Sequence, residues 1–406
     1  MSGARPERVL VFNHFASPRG APGGTRHVEL YGTLPGWSCE IIAANRNYLT
    51  RQRQESYRPS PTTRYRTVWT LPYSGNGPAR ILNWASYVLT ATAVGLLTKR
   101  PTVVVGSTPH LLAPLAAWFI ARVRRVPFVL EVRDLWPEVL VEMGQLTAGS
   151  RLHRALEGLA RWVVARADVV ITNAPGVRDE FVERGLDPSR VHLVSNGADV
   201  LAPLNDGDRD RFRAALELAA DDLVVVYAGA HGPANGLDLA LDAAADLART
   251  DPDVRFVFVG DGPAKEALVA KASRDGLSNV RFDPARPKDE MPQVLGAADI
   301  GLHVLADVGL FTYGVSPNKV FDYMAAGLAV LTNNPGTIGD LVTDTDAGVA
   351  VAPHGIADGV RALVAVGAAE RAAMGERGRA MIAREYAVAP RLVALDAALR
   401  QALAGR

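Results

Sequence analysis

The chain has 406 residues, 48% of them hydrophobic and 21% charged, with a formal net charge of +1. That balance excludes a disordered, collagen-like or disulfide-scaffold protein. The single cysteine, Cys39, excludes an internal disulfide and a cysteine-rich zinc module, and it fits a reducing, cytoplasmic setting.

At roughly 150 residues per domain, this length predicts two or three domains. Near the start, the apolar residues Val9–Phe12 and Phe15 are too few for a signal-peptide core. Ile81–Leu97 comes nearest to a membrane span, but Asn83, Ser86, Thr90 and Thr92 interrupt it, and a bilayer needs roughly 20 mostly apolar residues. Charge is divided unevenly. Residues 1–199 carry 24 Lys and Arg against 15 Asp and Glu, whereas residues 200–406 carry 20 against 28. Opposite signs in the two halves point to two domains, or to one face that meets an anionic surface. The basic excess shows neither aromatic interleaving nor a recognisable module, so no nucleic-acid partner is expected.

In chain order, near-continuous apolar runs predict strands at Arg8–Phe12, Cys39–Ala43, Val103–Gly106, Phe128–Val132, Val169–Asn173 and Val191–Val194. This is the pattern of strands buried on both faces of a parallel sheet. Helical spacing between them covers Thr25–Thr33, Arg80–Leu97, Leu111–Arg122, Leu152–Ala167 and Gly176–Arg184. The second half repeats the scheme with strands at Leu223–Ala228, Arg255–Gly260, Val280–Asp283, Ile300–Val304 and Ala329–Thr332. The alternation predicts an α/β protein with two doubly wound, Rossmann-like domains. The boundary is expected in Asp199–Arg209, where Asp, Asn, Gly and Pro cluster, giving domains over residues 1–198 and 199–385. Residues 386–406 form a last helical segment that needs a surface to cover. Ligands of such sheets bind beyond the carboxyl ends of the strands, so two sheets facing a central cleft would share one ligand site.

The loops after strands therefore carry the candidates. Gly23-Gly24 follows the first strand and opens a helix, where backbone N–H groups can meet an anion; an ordinary strand–helix turn reads the same way. Arg133-Asp134-Leu135-Trp136-Pro137-Glu138 concentrates charge and an aromatic at a strand end, which is hard to explain by packing; an Arg–Glu pair closing a loop, with Pro137 starting a helix, is the plain alternative. Asn196-Gly197 is as readily a simple turn. In the second half, Gly229 follows a strand in a loop whose small residues admit a phosphate, and Gly260-Asp261-Gly262-Pro263 after the next strand is a weak signal by itself. Ser316-Pro317-Asn318-Lys319 leads into Val320–Gly327 with Ser316 as an N-cap and Pro317 in the first turn. Lys319 would then oppose the helix dipole, which a nearby anion would explain. Asp322, three residues on, shares its face and can accept hydrogen bonds from sugar hydroxyls; a surface salt bridge between the two is the plain alternative. The acidic pairs Asp206 with Asp208, Asp208 with Asp210 and Asp344 with Asp346 read as solvated loops, and no metal site is expected. Neither H-E-x-x-H, G-x-S-x-G nor a phosphate-binding G-x-x-x-x-G-K-[ST] loop occurs.

Taken together, Gly23-Gly24, Arg133–Glu138, Ser195–Asp199, Val259–Pro263 and Ser316–Gly327 resemble, in order and over nearly the whole chain, the family-4 retaining glycosyltransferases of the two-domain GT-B type. Within them the chain is most similar to the bacterial fucosamine-transferase-like subgroup. The resemblance implies a hexosyl- or N-acetylhexosaminyl-type transferase that uses a UDP-linked amino or deoxy sugar. The nucleotide sugar is a substrate rather than a cofactor, and the acceptor is a hydroxyl in polysaccharide, glycolipid or secondary-metabolite assembly. It places the donor against Gly23, Gly24, Gly229, Gly260, Arg286, Ser316, Pro317, Asn318, Lys319 and Asp322. Asp134 and Lys319 would carry the chemistry, with Arg133, Trp136, Glu138 and Asn196 positioning sugar and acceptor. Asp322 takes the second acidic position of the family's paired-glutamate motif, while the first falls on Gly314. Two cations that grip the diphosphate in many members fall on Ala230 and Asn235, which leaves Lys319 as the substitute. Arg80–Leu97 and Leu111–Ala121, edged by Lys99, Arg100, Arg122, Arg124 and Arg125, read either as a surface resting on an anionic membrane near a lipid-linked acceptor or as buried sheet-covering helices. A UDP-sugar epimerase and a non-catalytic nucleotide-sugar-binding protein are the competing functions.

Overall fold

Val-, Ile- and Phe-rich runs too short to be stable helices pair side by side into two sheets in the computed structural model of the chain. It describes residues 6–21, 23–73, 75, 77–142, 144–287, 290–307 and 318–405. The contacts divide it into two units, one of residues 1–195 with 388–406 and one of residues 196–387.

In the first unit the strands are β1 (Glu7–Phe12), β2 (Trp37–Ala44), β3 (Tyr57–Ser60), β4 (Thr63–Val68), β5 (Val103–Ser107), β6 (Phe128–Val132), β7 (Val169–Thr172) and β8 (Val191–Leu193). Their order is β3-β4-β2-β1-β5-β6-β7-β8, parallel except for the β3–β4 hairpin at one edge. That hairpin is absent from the sequence reading because β4, Thr-Arg-Tyr-Arg-Thr-Val, is mostly polar; it buries Thr63 and Tyr65 while Arg64 faces out. Helices α1 (Arg26–Thr33), α2 (Pro78–Leu97), α3 (Leu112–Arg124), α4 (Glu138–Glu142), α5 (Arg151–Arg166) and α6 (Pro175–Glu183) alternate with the strands. Ser150 caps α5 by accepting from the His153 N–H at 3.1 Å. Phe12 and Phe128 lie fully inside the core, each contributing about 1.5–3 kcal/mol by its burial. The final helix of the chain, Val388–Ala404, belongs to this unit and inserts Leu395, Ala398 and Leu399 into its core. Trp37 fastens it by donating to Asp396 at 2.7 Å.

Helix α2 is inverted relative to a typical amphipathic helix. It buries Asn83, Ser86, Tyr87, Ala91 and Gly95, and leaves Ile81, Leu82, Leu89 and Leu97 exposed. Among the described residues, no helix is long and apolar enough to cross a membrane.

The second unit has six parallel strands, β9 (Leu223–Ala228), β10 (Val254–Val259), β11 (Val280–Asp283), β12 (Ile300–His303), β13 (Ala329–Thr332) and β14 (Gly348–Ala350), in the order β11-β10-β9-β12-β13-β14. Three-residue, half-buried β14 is too short to register as an apolar run. Strand order reverses between β9 and β12 here, and between β1 and β5 in the first unit. These switch points, at the carboxyl ends of the strands, are where such sheets hold ligands.

Candidate active site

At the switch point of the second unit stands the ammonium of Lys319. Lys319 lies in the first turn of the helix Asn318–Ala326, and its ammonium donates to the Tyr227 hydroxyl at 3.0 Å and to Asn235 Oδ1 at 2.9 Å. It also lies 4.6 Å from the centre of the Tyr227 ring, a cation–π arrangement. Among the described residues it forms no ion pair, so the surface salt bridge with Asp322 is not what is found. Burial pushes the Lys319 ammonium down to about 8, with no carboxylate among the described residues to repay its lost hydration. His303, at the end of β12, is buried and shares a hydrogen bond with Thr332 at 2.8 Å. Burial, reinforced by the neighbouring Lys319 charge, holds its imidazole well below the usual range.

The loops around this cation fit together through their backbones. A side chain on Gly260 would land on the Gly229 carbonyl, and its φ of +150° already suits glycine. Gly229 itself touches the Lys319 stem: a Cβ there would sit 3.0 Å from Lys319 Cε. Lys265 ties two strand ends by donating to the Gly260 carbonyl at 2.7 Å and the Asp283 carbonyl at 3.1 Å. Arg286 is held by Asp283 at 2.5 and 3.1 Å and by Glu290 at 3.3 Å, so its guanidinium has its own counter-ions. Asn318 is exposed at the first position of its helix, and Asp322 is half-buried one turn on from Lys319. Ser316, Pro317 and Gly314 lie outside the described residues.

The first unit gathers a second set. Gly23, at φ +106°, lies against Tyr48, where a Cβ would approach Cε1 to 2.7 Å. Gly24 faces Arg133, whose Nη1 would lie 3.6 Å from a Cβ there. The Arg133 N–H donates to Thr108 Oγ1 at 2.8 Å, fixing the loop after β6 to the loop after β5. Asp134 is exposed, yet desolvation by the protein crowded around it raises its carboxyl pKa against the opposing charge of Arg133. Trp136 meets Trp84 edge-on at 5.7 Å, and Trp84 stacks on His110 at 4.7 Å. Glu138 pairs with Arg184 at 3.2 Å rather than with Arg133. Asn196 is buried at the start of the second unit.

Several participants escape sequence inspection. Tyr227 reads there as an ordinary strand residue. His14 and His110 share a hydrogen bond of 2.7 Å at the β1–β5 switch point, both held below their usual pKa chiefly by burial. Beneath the Arg133 loop, the buried Glu131 carboxylate receives Arg26 at 3.3 Å and His27 at close range. Arg26 also donates to the Val194 and Ser195 carbonyls at 2.5 Å each. Among the described residues, no group of three or more His, Cys, Asp or Glu side chains is arranged to hold a metal ion.

The arrangement in the second unit can hold an anion against the Lys319 ammonium, while the Tyr227 hydroxyl that accepts from it is committed to the Ala230 carbonyl at 2.8 Å. Comparison with known proteins agrees with that chemistry. A model of glycosyl transferases group 1 matches residues 208–381, and a model of the glycosyl transferase 4-like domain matches residues 32–197. The putative colanic acid biosynthesis glycosyl transferase WcaI of Escherichia coli (strain K12) is 26% identical over 399 residues, which cover 94% of this chain and 95% of that protein. Sucrose-phosphate synthase from Thermosynechococcus elongatus superposes with a TM-score of 0.78 at 16% identity, over 98% of this chain and 100% of that one. Anabaena HepE in complex with UDP-glucose gives 0.71 at 18% identity, over 97% and 99%. These structural likenesses show the GT-B fold. With a 4-like domain in its first half and a group 1 domain in its second, the chain belongs to the family-4 glycosyltransferases.

Proposed function

We propose that the chain moves an amino or deoxy hexose from a UDP-type nucleotide sugar to a hydroxyl acceptor, with retention, in polysaccharide or glycolipid assembly. The observation that carries this reading is Lys319, a cation at a switch point whose hydrogen-bond partners are neutral. Breaking a sugar–phosphate bond builds negative charge on the leaving diphosphate. A pre-placed ammonium stabilises that charge without reorganising. Asp322 is suited to the ribose hydroxyls, and Asp134 to the cationic character of the transferred sugar. Retention without an enzyme nucleophile fits a same-face substitution in which the leaving phosphate helps deprotonate the acceptor. On this reading the second unit holds the donor, and Arg133, Trp136, Glu138 and Asn196 position sugar and acceptor. The structure of HepE with UDP-glucose and the relative named for colanic acid biosynthesis support the donor class and the polysaccharide setting. The Arg133–Glu138 loop supports the fucosamine-transferase-like subgroup.

The test is thermal unfolding with UDP, GDP, ADP and TDP, with and without EDTA. UDP at 100 times its dissociation constant is expected to add about 2.7 kcal/mol, a shift of several degrees, indifferent to EDTA. Lys319→Met should abolish the shift. If no nucleotide moves the wild-type transition, the donor assignment fails.

A peripheral membrane contact belongs to the same proposal. The exposed Ile81, Leu89 and Leu97 of α2 and Phe119 of α3 lie in segments edged by Lys99, Arg100 and Arg122. Apolar side chains with a basic rim bind anionic bilayers. The chain should sediment with phosphatidylglycerol vesicles and stay behind with phosphatidylcholine; equal recovery in both supernatants would count against the contact.

A further inference from the structure

The first unit contains a cavity of about 560 Å³, within the roughly 300–1,000 Å³ typical of small-molecule sites. Its wall runs from the end of β6 across α5 to α6. The deep part is hydrocarbon: Leu130, Val132 and Val163, each at most 5% exposed, and Phe181 beside them. None of these side chains can hydrogen-bond, so a sugar hydroxyl placed among them would lose its water without compensation. At the surface, the lining changes to the ion pairs Glu138–Arg184 and Glu157–Arg161 and to the exposed Asp134. Trp136 and Leu135, from the same loop as Asp134, also line it, as does the buried Thr108, whose hydroxyl accepts from the Arg133 N–H at 2.8 Å.

Apolar walls left facing water forfeit both hydrophobic stabilisation and dispersion contacts. A cavity of this composition next to a charged loop is therefore better suited to a chain-bearing molecule than to solvent. The geometry points to a site for the hydrocarbon chain of the acceptor: the chain enters between β6, α5 and α6, and its polar head stays at Asp134. Building on the transferase reading, this makes the acceptor a molecule with a linear or isoprenoid tail. Its length and branching are selected by the first unit, independently of the nucleotide. Ala160 controls the bore, being a small residue in the lining where α5 crosses it.

The experiment uses 10-bromodecanol as the probe on the purified full chain. Bromine quenches tryptophan fluorescence on contact, and Trp136 lies in the lining. Saturable quenching is expected, and it should be lost in Trp136→Phe. Ala160→Trp, which fills the bore, should weaken probe binding at least tenfold, and the milder Ala160→Leu should do so in part, guarding against a misfolded first variant. Both Ala160 variants should keep the wild-type thermal shift with UDP. Quenching by vesicles of brominated phosphatidylglycerol as well as by the free alcohol would assign the tail to a membrane-borne carrier. Quenching by the alcohol alone would assign it to a dispersed hydrophobic molecule. Non-saturable quenching, or equal binding to wild type and both Ala160 variants, overturns the proposal. Loss of the UDP response with probe binding intact would instead count against the donor reading and leave the cavity assignment standing.

Discussion

Arg26 in the first unit and Lys319 in the second are both cations near the carboxyl ends of a parallel sheet, and they keep different company. Arg26 is 7% exposed, donates to two backbone carbonyls and faces the Glu131 carboxylate. Lys319 has a phenol and an amide. Burial depresses both cations, but at Arg26 the Glu131 charge opposes the effect, while nothing comparable among the described residues acts on Lys319. A buried charge with its own counter-ion is part of the architecture, since neither partner can leave without stranding the other. A cation answered only by dipoles is a place where an anion would be welcome. The contrast separates a group that holds loops in place from the group to which the proposed function assigns the donor's diphosphate.

The largest expected effect comes from breaking the compensated side. Glu131→Ala strands the Arg26 guanidinium beside His27 and should destabilise the first unit by about 3–5 kcal/mol in denaturant unfolding. A loss under 1 kcal/mol would mean that the network is not what fastens α1 and the β8 end to β6. The pH dependence has a definite sign. Burial alone would raise the Glu131 carboxyl, but His27, Arg26 and Arg133 outweigh it and hold the pKa below the ordinary carboxylate range. The folded state therefore sheds this proton more readily than the unfolded chain. The stabilisation is complete above the unfolded carboxylate value and is lost as pH falls below it toward the folded value. Glu131→Ala should flatten that acid limb.

Glu131 also shows why part of the site is hidden in sequence. It sits inside Phe-Val-Leu-Glu-Val, a run whose apolar character reveals the strand but not the partners of its one acid. Those partners lie 104 and 105 residues away, brought there by the parallel crossover. The central strands were legible because burial on both faces demands uninterrupted apolar residues; β4 was not, because next to the edge strand β3 it alternates buried Thr63 and Tyr65 with arginine. Lys319 was legible as a cation misplaced in the first turn of a helix. Its partners, 84 and 92 positions upstream, were not, because Tyr227 serves as strand and site at once. The cavity beside Asp134 has no local signature at all, being made where β6, α5 and α6 fail to fill the space between them.

A smaller effect tests how the second unit fixes its loops without such a network. There the β9 and β10 ends meet backbone to backbone, so Gly260→Ala sets a methyl on the Gly229 carbonyl at a φ of +150°. Overpacking of this kind costs about 1–3 kcal/mol. Because Gly229 lies against Lys319, the same change should also weaken UDP binding, read as a reduced thermal shift. An undisturbed UDP response in a destabilised Gly260→Ala protein would show that the loop contact serves the fold alone.

The smallest effect is the pH signature of the uncompensated cation itself. Lys319 titrates near 8 in the folded chain and near its ordinary value of about 10.4 when unfolded. Between those values the unfolded chain binds a proton that the folded chain has released, so stability without ligand rises with pH across the window. Partial solvation keeps the rise below the cost of either substitution above. Lys319→Met should remove it, so the difference in slope between wild type and variant isolates one group. Saturating UDP should also remove it, because a diphosphate beside the ammonium restores its affinity for the proton. For the same reason, UDP affinity should fall as pH climbs through 8. A wild-type slope that UDP leaves unchanged would place the anion elsewhere and return Lys319 to the company of Arg26, a charge whose role is structural.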